Sequence, residues 1–329
     1  MNFYSKSRRS GRLENEVSDS GTIQSFLRNP PAIIWGSGAT VALGLPTMGD
    51  LNDALDVEIE GFDGNNENLE AELGKPEYES KMPEIRDVVW RVVNEADLGV
   101  LESLIDGDVS YVHGIKTMVE KFREAHPQVV NIVTTNYDRV LEYVMGYYGI
   151  PFNDGFDGVE LSKFDSRLFQ KTNNTNIVKV HGSLSWFQVG SSIRCLRKNN
   201  EDADPVIIPP GKNKYKEAYK APYRELIQKS DDLINGAPSF LVVGFGFNDE
   251  HLTPKIKEKV SNGTPLVLIT KDVTESCISE LRDAQKYIFL QQDEPGNTKV
   301  QSKTGEDNMV KESIIEGDYW KLDKFMEIL

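Results

Sequence analysis

Cysteine is almost missing from this chain: there are two in 329 residues, Cys195 and Cys277, far apart and outside any CxxC pair. Neither a disulfide framework nor a four-thiolate zinc site can be assembled from them, so buried, reduced thiols are expected. Histidine is nearly as scarce. Three of the four, His113, His126 and His251, fall within or beside helical stretches and form no metal-ligand spacing, so no metal is expected. Long apolar runs are lacking as well. No stretch has the length to cross a bilayer, and MNFYSKSRRSGRLENEVSDSG has no apolar core of the secretory kind, which predicts a cytoplasmic protein that does not engage a membrane. Positive charge is in deficit, 37 basic side chains against 52 acidic ones, and a net charge of -15 repels a phosphate backbone; direct nucleic-acid binding is not expected. The chain also has no GxxxxGK[ST] phosphate loop.

An apolar content of 39% supports a substantial core in a soluble globular protein. Five apolar runs read as strands: Ala32 to Trp35, Val129 to Thr134, Ile177 to His181, Phe240 to Gly244 and Leu266 to Thr270, with Tyr287 to Gln291 a sixth. Their Val, Ile and Leu content suits strands buried on both faces. The pattern predicts an α/β fold, a Rossmann-like parallel sheet with helices on both faces and a smaller helical module. Helices are predicted at Asp138 to Tyr148, ending at Gly149, at Asp249 to Val260 and at Tyr219 to Ile234.

Residues 1–22, with Arg8, Arg9 and Arg12, read as a mobile polar arm, and 23–292 as the main domain. Helical insertions are predicted at about 57–128 and 186–236, the latter with a polar loop at Lys198 to Asp204. Residues 293–329 read as a polar linker and a terminal amphipathic helix that uses Leu322, Phe325, Met326 and Leu329.

Chemistry is sought where buried strands hand over to loops, the ligand-presenting edge of open α/β sheets. Gly36-Ser37-Gly38-Ala39-Thr40 follows the first strand, and Gly244-Phe245-Gly246-Phe247-Asn248-Asp249 follows a later one. Each glycine turn can admit a pyrophosphate or can be an ordinary strand-to-helix turn; two on one edge can clamp both halves of a dinucleotide. Thr47 with Asp50 reads as a helix cap resembling a capping box, and Asp249 as another cap.

Two phrases stand out, Thr134-Thr135-Asn136-Tyr137-Asp138 and His181-Gly182-Ser183. Asn136 can orient a water or a ribose hydroxyl, and a neutral His181 can take a proton near neutral pH. Each also has a structural reading: Asn136 can stabilise a turn, Asp138 can cap the helix after it, and His181 can be a satisfied core group.

Taken in order, GSGAT at 36 to 40, GLPT at 44 to 47, TTNYDRVLE at 134 to 142, HGSLSW at 181 to 186 and GFGFNDEHL at 244 to 252 resemble the motifs of sirtuin-like, NAD-consuming proteins of bacterial anti-phage defence. The similarity spans about Ile33 to Lys271. It implies that NAD+ is a substrate cleaved to nicotinamide and ADP-ribose. It assigns Asn136 and His181 to catalysis and Asp138, with Thr135, to the nicotinamide ribose end. It gives the Gly36 turn, with Ser37, Gly38 and Ala39, to the pyrophosphate, Gly244, Gly246, Asn248 and Thr270 to the adenosine side, and Thr47 and Phe245 to cofactor binding. The zinc-binding CxxC pairs of the deacetylating sirtuins are absent, as is their Asp-Phe-Arg, replaced by Thr47-Met48-Gly49; this puts deacetylation in doubt. The resemblance further implies a homo-oligomer working with a HerA-type hexameric ATPase. An NAD- or ADP-ribose-sensing module without turnover and an ADP-ribosyltransferase are the alternatives.

Overall fold

A computed structural model describes residues 20–66, 68–158, 160–197, 203–211, 221–304 and 309–329. The Arg8, Arg9 and Arg12 cluster, most of the expected loop at Lys198 to Asp204, and Tyr219 lie outside the described residues; residues 20–26 are helical. The chain is an α/β protein built on a parallel-dominated sheet with helices, the Rossmann-like class predicted above. It divides into two compact units, one from the described part of Met1–Ala39 with His113–Asn131 and Asp231–Leu329, the other from Thr40–Val112 and Ile132–Ser230; the division falls inside the strand Val129–Thr134.

In the first unit the strand order is Lys311–Glu316, Asn297–Lys303, Tyr287–Gln292, Leu266–Thr270, Phe240–Val243, Ala32–Trp35. The last four run parallel, with Ala32 opposite Phe240 and Phe240 opposite Leu266. AIIW and FLVV are buried at every position, as strands covered on both faces require. Helix Leu252–Ser261 buries Leu252, Ile256 and Val260, the stripe predicted for Asp249 to Val260, although the helix begins three residues later. The terminal helix Leu322–Ile328 packs against His113–Arg123 through the buried Phe325, so closely that a Cβ on Gly114 would meet the Asp323 nitrogen at 2.7 Å.

The predicted polar linker after residue 292 is corrected. Asn297–Lys303 and Lys311–Glu316 are antiparallel strands at the edge of the sheet. Thr298, Val300 and Ser302 alternate inward with a strict period of two, and because two of the three carry hydroxyls the stripe does not register as apolar.

In the second unit the 24-residue Met82–Ile105 is the main helix of the predicted helical segment, and Met48–Glu58 largely precedes that segment. The insertion at 186–236 is a second correction: among its described residues it is helical only from Tyr223. Before that it contributes to a four-stranded antiparallel sheet, in the order Glu160–Lys163, Ser192–Leu196, Gly182–Val189, Pro205–Ile207. Val189 pairs with Ser192 across a two-residue Gly190-Ser191 loop, and Gly190 takes φ +59°, the left-handed setting that tight hairpins need. Among the described residues no helix is long and apolar enough to cross a membrane.

Candidate functional site

Two strand ends lie side by side in the second unit. Strand Asn174–Lys179, predicted as Ile177 to His181, stops short of His181; the His181 carbonyl accepts from Ile208 N at 2.9 Å, and Gly182 at φ +93° turns the chain into the next strand. A Cβ on Gly182 would lie 2.4 Å from the Val206 carbonyl oxygen, so only glycine fits there. Val180 N donates to Thr134 O at 3.0 Å and Leu184 N donates to Tyr137 O at 3.0 Å, which ties the TTNYD and HGS phrases together through their main chains. Tyr137 adds a side-chain tie, its hydroxyl donating to Ile208 O at 2.6 Å.

Asn136 is 8% exposed, which takes it out of bulk water. Its N–H donates to Thr134 Oγ1 at 3.0 Å, and its side-chain Nδ2 donates to Asp138 Oδ2 at 3.0 Å and to Thr40 Oγ1 at 3.4 Å. The Thr40 hydroxyl donates in turn to Asp138 Oδ2 at 3.5 Å. Asp138 Oδ1 accepts from Val140 N at 3.2 Å, which satisfies the first amide of helix Val140–Tyr148, although the N-cap position itself is Arg139 rather than the expected Asp138. The two oxygens of Asp138 thus serve different partners, Oδ1 the Val140 amide and Oδ2 the Asn136 and Thr40 side chains.

Burial pushes the Asp138 carboxyl up to about 6; the Lys179 ammonium pulls it down, while Asp97 and Glu142 add repulsion. Asp154, also buried and repelled by Glu142, is likewise raised to about 6. Lys179, 1% exposed, pairs with Glu142 at 2.7 Å. Behind it, Arg139 pairs with the fully buried Asp97 at 2.7 Å and donates to Asn94 Oδ1 at 2.9 Å. The Tyr143 hydroxyl donates to Asp97 at 2.6 Å, and burial with the facing carboxylate raises its pKa. A cavity of about 1040 Å³ in the same unit, lined by Arg86, Asp87, Lys163, Asp204, Tyr223 and Glu225, includes none of Asn136, Asp138, Lys179 or His181.

The first unit holds the glycine turns. Gly36 N donates to Val243 O at 2.9 Å and Gly38 N donates to Gly244 O at 3.0 Å. A Cβ on Gly36 would stand 2.4 Å from Gly244 O, and one on Gly244, at φ +58°, would stand 2.1 Å from Ala39 N. Close main-chain packing thus explains these glycines before any ligand is invoked. The first turn runs into 3-10 turns at Ser37–Ala39 and Val41–Leu43 rather than directly into a helix, so the helix terminus anticipated behind it is displaced to Met48. Ser37 and Gly38 are exposed, as is Asn248, whereas Phe245 is buried and packs edge-on against Phe247 at 5.2 Å. The Thr270 hydroxyl donates to Asp272 O at 3.1 Å. Asp249 Oδ1 accepts from the amides of His251 and Leu252, the cap expected of it.

Thr47 and Asp50 form the capping box in full: Asp50 N donates to Thr47 Oγ1 at 3.2 Å, and Thr47 N donates to Asp50 Oδ2 at 2.7 Å. The half-buried Thr135 lies on the same loop as Asn136. Sequence reading did not single out Thr40, Lys179, Asp97 or Arg139. Lys179 carries a usable signal, a lone charge inside the apolar run IVKVH; Asp97 and Arg139 have none, because their pairing joins distant segments. Among the described residues no group of three or more His, Cys, Asp or Glu side chains is placed to hold a metal ion.

Residues 130–311, more than half of the chain, match a protein family described as SIR2-like domain. No curated protein matches. Similar solved structures include one described as Sir2-p53 peptide-NAD+, at 10% identity and a TM-score of 0.44 over 91% of this chain and 90% of that one. Another, described as a Sir2 homolog-NAD complex, has 16% identity and a TM-score of 0.42 over 78% and 82%. A third, from work on the mechanism and regulation of Sir2 enzymes, has 11% identity and a TM-score of 0.44 over 95% and 96%.

Proposed function

Because the chain belongs to the SIR2-like domain family, we propose that it is an NAD+ glycohydrolase that cleaves NAD+ to nicotinamide and ADP-ribose. The observation that carries this reading is the buried Asn136, whose side-chain amide is fixed by Asp138 and Thr40 at a strand end tied to the His181 loop. A polar side chain held this way is pre-oriented for a reacting centre and needs no reorganisation when charge develops. In the reaction the bond between ribose C1′ and the nicotinamide nitrogen breaks, with the electron pair leaving on nicotinamide. A water oxygen adds to C1′ and gives up a proton, which His181 accepts. Asn136 positions that water and the ribose, and Asp138 contacts the carboxamide. The main chain of Gly36, Ser37, Gly38 and Ala39 takes the pyrophosphate, and Gly244, Gly246, Asn248 and Thr270 serve the adenosine side. With two cysteines and no CxxC pair the chain cannot build the deacetylases' four-thiolate zinc site. We further infer a role in anti-phage defence by NAD+ depletion, in a homo-oligomer whose ATP hydrolysis comes from a HerA-type partner.

Purified chain incubated with NAD+, with and without the ATPase partner, tests this. Free nicotinamide with stoichiometric ADP-ribose is expected. Nicotinamide with a labelled macromolecule would replace hydrolysis by transfer, and binding without product in the presence of partner would replace it by sensing. Asn136→Ala and His181→Ala are each expected to cut nicotinamide release by about 100-fold or more with folding intact; full turnover by either removes that residue from the mechanism.

A further inference from the structure

Lys179 sits at a place where an ammonium has no local reason to be. It interrupts a buried strand whose neighbours Ile177, Val178 and Val180 are all inaccessible, and it is itself 1% exposed. Burying a cation is costly unless each of its donors is satisfied and its charge is balanced. An ammonium has three N–H donors, and here they are shared among three separate segments. Lys179 Nζ donates to the Asp138 carbonyl, with the Tyr137 carbonyl at 3.4 Å beside it. It donates to Ser183 Oγ at 3.4 Å on the other loop, and Ser183 Oγ in turn lies 3.2 Å from Ser185 Oγ. Its charge is met by Glu142 at 2.7 Å, from the first turn of helix Val140–Tyr148.

We propose that Lys179 is a positioning residue: its buried ammonium clamps the Asn136 to Asp138 loop against the His181 to Ser183 loop and holds Asn136 and His181 in register for reaction. This rests on the glycohydrolase reading for its catalytic consequence, but the clamp itself is a statement about this chain's two loops. The contacts are to main-chain carbonyls two residues or fewer from Asn136 and to the side chain two residues from His181, so their loss displaces the reacting groups without touching the parts assigned to pyrophosphate or adenosine. A lysine whose only task is to neutralise Glu142 could be removed together with that charge at no loss of alignment. A clamp could not.

The test is the pair Lys179→Met and Lys179→Met/Glu142→Gln in the full chain, compared with the parent. The double variant removes both charges and so relieves the buried carboxylate that the single variant leaves behind. The expected result is that the double variant regains the part of the thermal stability that the unpaired carboxylate costs the single variant, yet keeps kcat for nicotinamide release at least tenfold low, with KM for NAD+ changed less than threefold. Lys179→Arg, whose planar fork cannot repeat three divergent bonds, is expected to stay low as well. Hydrogen exchange gives a readout independent of turnover: peptides covering residues 134–142 and 181–186 lose protection in the double variant while the Leu266–Thr270 strand does not. Parental kcat in the double variant, or unchanged exchange in both loops, overturns the proposal. Should the parent release no nicotinamide even with the partner ATPase, the glycohydrolase reading fails by itself and the exchange experiment still decides the clamp.

Discussion

Replacing Asp138 by asparagine should make the folded chain more stable while disarming it, and the gain should depend on pH. The carboxyl rises from an ordinary 3.8 to about 6 on burial, a shift that Lys179 reduces and Asp97 and Glu142 increase. Because the folded value lies above the unfolded one, the parent loses stability as pH climbs from 3.8 to about 6 and loses no more beyond it. A shift of roughly two units at about 1.4 kcal/mol each amounts to ~3 kcal/mol of destabilisation at pH 8, falling to roughly 0.5 kcal/mol at pH 4. Asparagine removes that dependence. It offers one acceptor oxygen in place of two, so one of the bonds from Val140 N, Asn136 Nδ2 and Thr40 Oγ1 is lost, at about 1 kcal/mol at any pH. Urea unfolding of parent and Asp138→Asn at about pH 8 and pH 4, on either side of the pI near 4.9, should therefore give a variant ~2 kcal/mol more stable at the higher pH and level or slightly weaker at the lower. Asp154 titrates with the same sign in both chains and cancels in the difference. A gap that stays constant between the two pH values, or a variant less stable at pH 8, refutes the reasoning.

Gly244→Ala should cost ~2–4 kcal/mol of stability, since its Cβ would stand 2.1 Å from Ala39 N at φ +58°. Gly246→Ala, whose Cβ would meet Asn248 Nδ2 at an ordinary 3.5 Å, should cost less than about 1 kcal/mol; equal losses in denaturant melts would remove main-chain crowding as the explanation. Thr47→Ala should lower stability by about 1 kcal/mol through loss of the capping box. If KM for NAD+ rises tenfold in that variant while its melt is unchanged, Thr47 serves ligand and not helix.

Much of the frame could be read directly from the chain. AIIW and LVLIT are near-continuous apolar runs and VVNIVT is broken only by the half-buried Asn131, the pattern that suits strands covered on both faces, and those three limits agree to the residue. Asn297–Lys303 escaped because its inward face is threonine, valine and serine, which bury well but do not look apolar. Gly182–Val189 escaped because polar serines alternate with aromatic and aliphatic residues within a stretch buried on both sides; Gly190-Ser191 was the available hairpin signal. In the site, Asn136 and Asp138 could be picked from their strand-end position. Their fixing partner Thr40 could not, since 96 residues separate it from Asn136 and only folding brings them together. The same holds for Arg139 and Asp97, 42 residues apart.

Gly36, Gly38 and Gly244 interlock with no side chain between them, so the two turns behave as one part with one set of dimensions. A loop of different length after either strand would jam or part that contact, since neither turn has a side chain that can retract. Between related chains the two turns are therefore exchangeable only as a matched set, and a graft of one without the other would disturb the pairing of Ala32–Trp35 with Phe240–Val243 that lies directly beneath them.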